Sequence, residues 1–200
     1  MRLYDYLPSG NGYKIRLLLT QLDVPFERIE LDIVDGATRT DAYLEKNPNG
    51  RIPLLETDEG VHLAESNAIL FFLADGTPFL PDRSLDRARV LQWMFFEQYN
   101  HEPNIATSRH WIQHLELTDE RRARLEEKYR LGHEALAVME THLAKNDFFV
   151  GRRYTIADIA LFAYTHVAPE GGFELDPYPN IQGWITRVAD QPGHIPITQG

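Results

Sequence analysis

Two hundred residues allow one large domain or two small ones, and 43% hydrophobic with 25% charged residues describes an ordinary globular chain with material for a core. The net charge of −10 divides into −6 over residues 1–80 and −4 over residues 81–200. Neither half therefore has the basic excess of a nucleic-acid binder, and no run approaches the ~18 apolar residues of a membrane span. With no cysteine the chain has no disulfide, no thiolate metal site and no thiol nucleophile of its own, so any sulfur chemistry uses a thiol brought by a ligand.

Arg2–Tyr6 reads as a short strand, and its lack of an apolar signal core predicts a protein that is not exported and is cytoplasmic. Leu7-Pro-Ser-Gly-Asn-Gly12 is a loop of turn formers. Ile15, Leu18, Leu19 and Leu22 then mark one face of a helix over Tyr13–Leu22. Val24-Pro25 ends it, Phe26–Ile33 reads as a second strand, and Thr40–Lys46 as a short helix before the turn residues Asn47-Pro-Asn-Gly50. Pro53 interrupts an apolar run; having no N–H, it should open a strand rather than lie inside one. The Asp58-Glu-Gly60 turn predicts a hairpin of Leu54–Thr57 with Val61–Leu63. Glu65 and Ser66 stand where the helical pattern Ala68, Ile69, Phe72, Leu73 begins, and a helix N-terminus can hold a carboxylate.

Asp75-Gly-Thr-Pro-Phe-Leu-Pro-Asp82 breaks every periodic pattern, and all that follows reads helical. The expected organisation is an α/β domain over 1–76, a linker over 77–83 and an all-α domain over 84–200. Ser84 is a candidate cap for a long helix with Leu91, Met94, Phe95, Phe96 and Tyr99, kinked near Pro103 and continuing through Trp111. Thr118 opens another helix to about Lys145. In Tyr154-Thr-Ile-Ala-Asp-Ile159, Thr155 and Asp158 stand at N-cap and N3 of a capping box, with Tyr154 and Ile159 at the staple positions. Tyr178–Val188 is the last helix. Arg121-Arg-Ala-Arg124 is flanked by glutamates and reads as a solvated face.

The proline after an apolar residue, the hairpin and the Glu-Ser at a helix start, Ile52-Pro53 and Glu65-Ser66, together resemble the glutathione transferase superfamily. Thr155…Asp158 matches a second motif of that family, so the resemblance spans nearly the whole chain. It implies a thioredoxin-like N-terminal domain of order βαβαββα, an all-α C-terminal domain, and glutathione as co-substrate with no metal. It also implies that Pro53 is cis, that the Ile52 backbone pairs with the cysteinyl part of glutathione, and that Glu65 and Ser66 hold its γ-glutamyl end. Ser9, Asn11, Gly12 and Lys14 resemble the loop of a bacterial group often called the Nu class; the serine-type, Theta-like classes also place a hydroxyl there. Members of the Nu class reduce disulfides bound as glutathione conjugates.

Activating a thiol that titrates near 8.5 for work at pH 7 requires about 2.7 kcal/mol for a shift of roughly two units. A helix dipole contributes about 0.3–1 kcal/mol and a hydrogen bond to a charged acceptor about 1.5–3, so both are wanted. Ser9 and Asn11, before the first helix, are rival thiolate donors, and each is also a common helix cap. The absence of cysteine excludes the cysteine-type branches. Arg39 and Arg51 are candidates for the glycyl carboxylate of glutathione, and Tyr99, His101 and Arg109 for the pocket of the electrophile. His110 and His114 stand four apart on a helix, but no third ligand has a recognisable spacing, so no metal site is expected. The expected activity is conjugation of glutathione to a small electrophile, or glutathione-dependent disulfide or peroxide reduction. The alternative is a non-catalytic binding protein of the same fold. No nucleic-acid or membrane partner is expected. The adjacent pairs Phe71-Phe72 and Phe95-Phe96 exceed one core stripe, which predicts a second burial surface and a homodimer.

Overall fold

The computed structural model describes residues 1–200. The first compact unit comprises Met1–Asp75 with Gln191–Gly200, and the second Gly76–Asp190. The segment 191–200, placed in the helical domain by the sequence reading, thus lies with the α/β unit.

In the first unit β1 (Arg2–Asp5), α1 (Gly10–Gln21), β2 (Glu27–Glu30), α2 (Asp41–Leu44), β3 (Leu54–Glu56), β4 (His62–Ala64) and α3 (Ser66–Ala74) give the expected βαβαββα order. The sheet runs β2-β1-β3-β4. β1 and β2 are parallel, as the α1 crossover requires, and the other pairs are antiparallel. Leu3, Leu54 and Leu55 of the sheet and Ile15, Leu18, Leu19, Ile69 and Leu70 of the helices are fully buried.

Several boundaries differ from the sequence expectation for local reasons. α1 begins at Gly10 rather than Tyr13, because the Ser9 hydroxyl caps it by accepting from the Gly12 N–H, so the glycines form its first turn instead of a loop. β2 stops at Glu30, where the Asp32 carboxylate accepts from the Val34 and Asp35 N–H groups and turns the chain. Ser84 does not cap the long helix; it is the first helical residue, and Arg83 occupies the cap position.

In the second unit α4 (Ser84–Phe96) and α5 (Glu102–His114) are joined through a π-helical turn over Glu97–His101. The wide turn has a cause: Pro103 brings no N–H, and its ring crowds the carbonyl four residues earlier, at Tyr99. α6 (Asp119–Leu143) starts at the Thr118 cap, whose hydroxyl accepts from the Arg121 N–H. α7 (Ile156–Thr165) is buried along its whole length, and α8 (Pro179–Ala189) packs Ile181, Trp184 and Val188 inward. No helix is long and apolar enough to cross a membrane.

The capping box forms as read from the sequence. Thr155 Oγ1 accepts from the Ala157 N–H, and Asp158 Oδ2 accepts from the Thr155 N–H at 2.9 Å. Asp158 does more than cap: its Oδ1 also accepts from the Phe149 N–H and the Trp184 indole N–H, each at 3.0 Å. It therefore ties the segment before α7, α7 itself and α8 to one carboxylate.

Candidate functional site

Sheet register sets two of the sequence-predicted residues of the first unit, Pro53 and Glu65, next to each other. Leu54 pairs with Tyr4 on one side and Ala64 on the other. The residues one step beyond, Pro53 and Glu65, therefore lie side by side at the end of the sheet where β1 exits toward the Ser9–Gly12 turn. The Ile52–Pro53 bond is cis. The Arg51 carbonyl holds this segment in place, accepting from the Tyr43 hydroxyl at 2.7 Å and the Asn47 amide at 2.8 Å. Ile52 itself makes no backbone hydrogen bond within the chain.

Glu65 has φ 70° and ψ 112°, a sparsely populated region for a residue with a side chain. It occupies the α3 cap position, yet its side chain caps nothing and is exposed. The first turn of α3 thus has no side-chain cap from Glu65 and no acidic residue of its own. The α1 first turn likewise carries no acid.

Asn11 and Ser66 are 55 residues apart in sequence, and a direct bond joins them: Ser66 Oγ donates to Asn11 Oδ1 at 3.2 Å. Lys14 closes the triangle. Its Nζ donates to Asn11 Oδ1 at 2.9 Å and to Ser66 Oγ at 3.2 Å, and the side chain is fully buried. The reach is a consequence of helix geometry, since side chains lean toward the helix N-terminus and bring positions i and i−3 together. Ser9 is the α1 cap, as one of its two readings expects. Accepting one bond leaves its hydroxyl hydrogen to be donated, so capping and contact with a thiol are compatible.

Below this triangle lies a buried ion pair. Arg16 Nε is 2.8 Å from Asp5 Oδ2, both side chains fully buried. Burial pushes the Asp5 carboxyl above and the Arg16 guanidinium below its ordinary range, and in each case desolvation outweighs the partner's charge. Arg16 also donates to the Leu7 carbonyl at 2.7 Å, to the Ile197 carbonyl at 3.0 Å and to the Gln199 carbonyl. Residue 12 is glycine for space, not for its φ: a Cβ there would stand 1.5 Å from Asp5 Oδ1.

Arg39 and Arg51 are both exposed and flank the 47–51 turn. Arg39 Nη1 donates to the Asn49 carbonyl at 3.3 Å, while the Arg51 guanidinium has no partner in the chain. Tyr4, at the strand end, gives its hydroxyl to Glu56 Oε2 at 2.7 Å.

The electrophile-pocket candidates of the second unit stand in different surroundings. Tyr99 is 78% exposed. His101 is fully buried, its Nε2 2.9 Å from Thr165 Oγ1 of α7, which makes it a core side chain rather than a pocket wall. Arg109 pairs with Glu170 at 2.6 Å. The His110 and His114 rings lie 5.1 Å apart, and no group of three His, Asp or Glu side chains is arranged to hold a metal.

Lys14, which the sequence names only through the family resemblance, and Arg16, which it does not single out, are both fully buried. Their signal was present: two cations interrupt the apolar run Tyr13–Leu19 in a helix whose neighbours on both sides are buried. A helical wheel assigns such residues to solvent, and only the partners 52 and 11 positions away make them internal.

Residues 1–75 match the family model of the glutathione S-transferase N-terminal domain, and residues 93–192 that of the C-terminal domain. The chain is 51% identical to the glutathione S-transferase from Pseudomonas fluorescens, over 99% of this chain and 98% of that one, with a TM-score of 0.97. It is 43% identical to a glutathione S-transferase from Xanthobacter autotrophicus, covering 98% of this chain and 96% of that one at a TM-score of 0.91. The disulfide-bond oxidoreductase YfcG of Escherichia coli is 28% identical, over 94% of this chain and 89% of its own length. Two family models that divide the chain between them, a shared fold and half of all residues in common with a member lead to one conclusion: this chain belongs to the glutathione S-transferase family.

Proposed function

We propose that the first unit binds glutathione and activates its thiol for attack on a small electrophile or on a disulfide. The observation that carries this reading is the junction of the α1 and α3 N-termini through Asn11 and Ser66, beside the cis Ile52–Pro53 bond. The Ile52 backbone, with no partner in the chain, is suited to pair with the cysteinyl residue as an added strand would. The uncapped first turn of α3 suits the γ-glutamyl carboxylate, and the exposed Glu65 carboxylate its ammonium. Arg51, and Arg39 beside it, are the cations available for the glycyl carboxylate. The thiol then falls to the α1 turn, where the Ser9 hydroxyl and Asn11 amide are the side-chain donors. Reduction of a glutathione-bound disulfide is favoured by the name of the Escherichia coli relative and needs no cysteine in the protein.

Binding is tested by titrating the wild-type chain calorimetrically with glutathione and with its disulfide. Asn11→Ala and Ser9→Ala are then compared by the ultraviolet absorbance of the bound thiolate. Loss of the main donor raises the thiol pKa by about one unit, the equivalent of a charged hydrogen bond of roughly 1.5 kcal/mol. If neither variant moves it, the loop does not activate the thiol.

A homodimer is the proposed assembly. Phe72 of α3 is 53% exposed, and Leu85 and Phe95 of α4 are 52% and 61% exposed, an apolar excess that a partner surface would cover. Trp93 of α4 instead packs on Phe96, His142 and Phe149 within its own unit. Light scattering at micromolar concentration should give twice the 23.1 kDa chain mass. A value of one chain mass excludes the dimer.

A further inference from the structure

We propose that Arg16 is a positioning residue of the glutathione site and that the segment 195–199 completes it: the buried guanidinium holds the Leu7–Pro8 peptide, and with it the turn that opens α1, only while that segment fills its other side. The role rests on the reading of the α1 turn as the place where the thiol of glutathione is held.

The three nitrogens of Arg16 reach three separate parts of the first unit. Nε stands 2.8 Å from Asp5 Oδ2 at the end of β1. Nη2 donates to the Leu7 carbonyl at 2.7 Å, in the connection between β1 and α1. Nη1 donates to the Ile197 carbonyl at 3.0 Å and also to the Gln199 carbonyl. A guanidinium is a planar fork with fixed donor directions, so these acceptors are held in register through it. Tyr13, three positions earlier on the same face of α1, adds a bond to the same segment: its hydroxyl donates to the Ile195 carbonyl at 2.7 Å. All three contacts to 195–199 use main-chain carbonyls, so they read the path of the segment rather than its side chains.

Leu7 is held at both of its backbone groups, its N–H donating to Glu30 Oε1 at 3.1 Å and its carbonyl accepting from Arg16. Pro8 follows, with φ set near −65° by its ring, and the Leu7–Pro8 peptide is planar. The direction of the Leu7 carbonyl therefore sets where Ser9, the cap of α1, stands, and the Ser9 N–H closes the turn by donating to the Tyr6 carbonyl at 2.8 Å. Were 195–199 to leave, Nη1 would lose both of these acceptors. A buried donor without a partner is costly, so the group would turn toward water. Because the fork is rigid, Nη1 cannot turn without swinging Nη2 away from Leu7. The order of the segment and the order of the turn are thus coupled through one side chain, and such coupling is reciprocal: a ligand bound best by the ordered turn also holds 195–199 in place.

The test compares wild type with Arg16→Lys, with a chain stopped after His194, with the two changes combined, and with Thr198→Ala, whose exposed side chain lies between the two bonded carbonyls. Arg16→Lys keeps a cation beside Asp5, but a single ammonium lacks the fork that spans Leu7 and the segment. Each protein is checked for folding by thermal melting and then titrated for the thiol pKa of bound glutathione by thiolate absorbance. Affinity for S-methylglutathione, which has no thiol to ionise, is measured beside it by calorimetry. In Arg16→Lys and in the shortened chain the thiol pKa is expected to rise by about half to one unit, a threefold to tenfold loss of thiolate at neutral pH. Affinity for S-methylglutathione should change less than about threefold, since the helix end and cations assigned to its carboxylates stay in place. The combined variant should go no further than the larger single effect, and Thr198→Ala should match wild type. An unchanged pKa in the folded shortened chain overturns the proposal, as do additive effects in the combined variant, which would mean separate routes. Should the shortened chain not fold, hydrogen exchange decides: glutathione is expected to slow exchange over 191–200 in wild type and less so in Arg16→Lys, and equal exchange with and without glutathione in wild type refutes the coupling. Failure of wild type to bind glutathione at all defeats the functional reading and this role with it, whereas binding with an unchanged pKa in the variants defeats this role alone.

Discussion

Arg16→Met is expected to lower the stability of the fold by about 3–5 kcal/mol, the range for removing one partner of a buried ion pair. The side chains of Arg16 and Asp5 are both fully buried, and the substitution leaves the Asp5 carboxylate desolvated and without its cation, with the Tyr6 N–H still donating to it at 2.7 Å. The Leu7, Ile197 and Gln199 carbonyls lose their guanidinium at the same time. The loss is thus expected at both ends of the first unit: the turn that precedes α1 loosens, and the 191–200 segment exchanges its amide hydrogens faster. Replacing both members, as Asp5→Asn with Arg16→Met, should cost less than Arg16→Met alone, because no charge is stranded. Denaturant midpoints of the three variants measure this. A single-variant loss under about 1 kcal/mol, within the range of an exposed pair, would show that Arg16 is not the hub.

Asp158→Ala is expected to destabilise the second unit by about 3–5 kcal/mol. It orphans the Phe149 and Thr155 N–H groups and the Trp184 indole N–H, each a buried donor worth roughly 1–3 kcal/mol when left unmade. Part of that is returned, because burial alone penalises the carboxylate and is the largest cause holding its pKa up at about 6, against the three N–H groups and the Thr155 hydroxyl that pull it down. The same shift fixes a pH dependence. The unfolded group titrates at the ordinary 3.8 and the folded one at about 6, so between these values the folded state binds more protons than the unfolded chain. The contribution of this group is therefore fully present below pH 3.8 and is lost as pH rises through about 6, a fall on the order of 3 kcal/mol for a fully buried carboxyl. Asp158→Asn cannot ionise and should show a flatter stability profile across that window. Thermal melts of wild type and Asn variant at pH 4 and pH 7 measure the difference; parallel profiles would mean that Asp158 does not titrate there.

What was legible in the sequence was what is decided within a few residues. The capping box needs only Thr155 and Asp158 three apart at the start of an apolar helix, and it formed as read. The hairpin around Asp58-Glu-Gly60 and the βαβαββα order follow from turn residues and periodicity, with ends wrong by a few positions where a side chain, Ser9 or Asp32, bonded the backbone. The kink near Pro103 was legible because proline's missing N–H acts on the turn immediately before it, here the π turn at Glu97–His101.

Contacts far apart in sequence were decided by the tertiary structure alone. His101 read as a pocket residue because a polar ring on a long helix has no local sign of what packs on it; Thr165, 64 positions later, makes it core. An isolated helix would have to solvate the charges of Lys14 and Arg16; Ser66 and Asp5 provide partners that allow burial. The last ten residues read as an end to the helical domain, yet Arg16 and Tyr13 bond their carbonyls into the first unit. The sequence by itself determined which segments become helix or strand and which motifs lie at their ends, since propensity, capping and turn chemistry act over one or two turns. Only the folded chain decided which charges are buried, because desolvating an ion is tolerable just where distant residues arrive to replace its water.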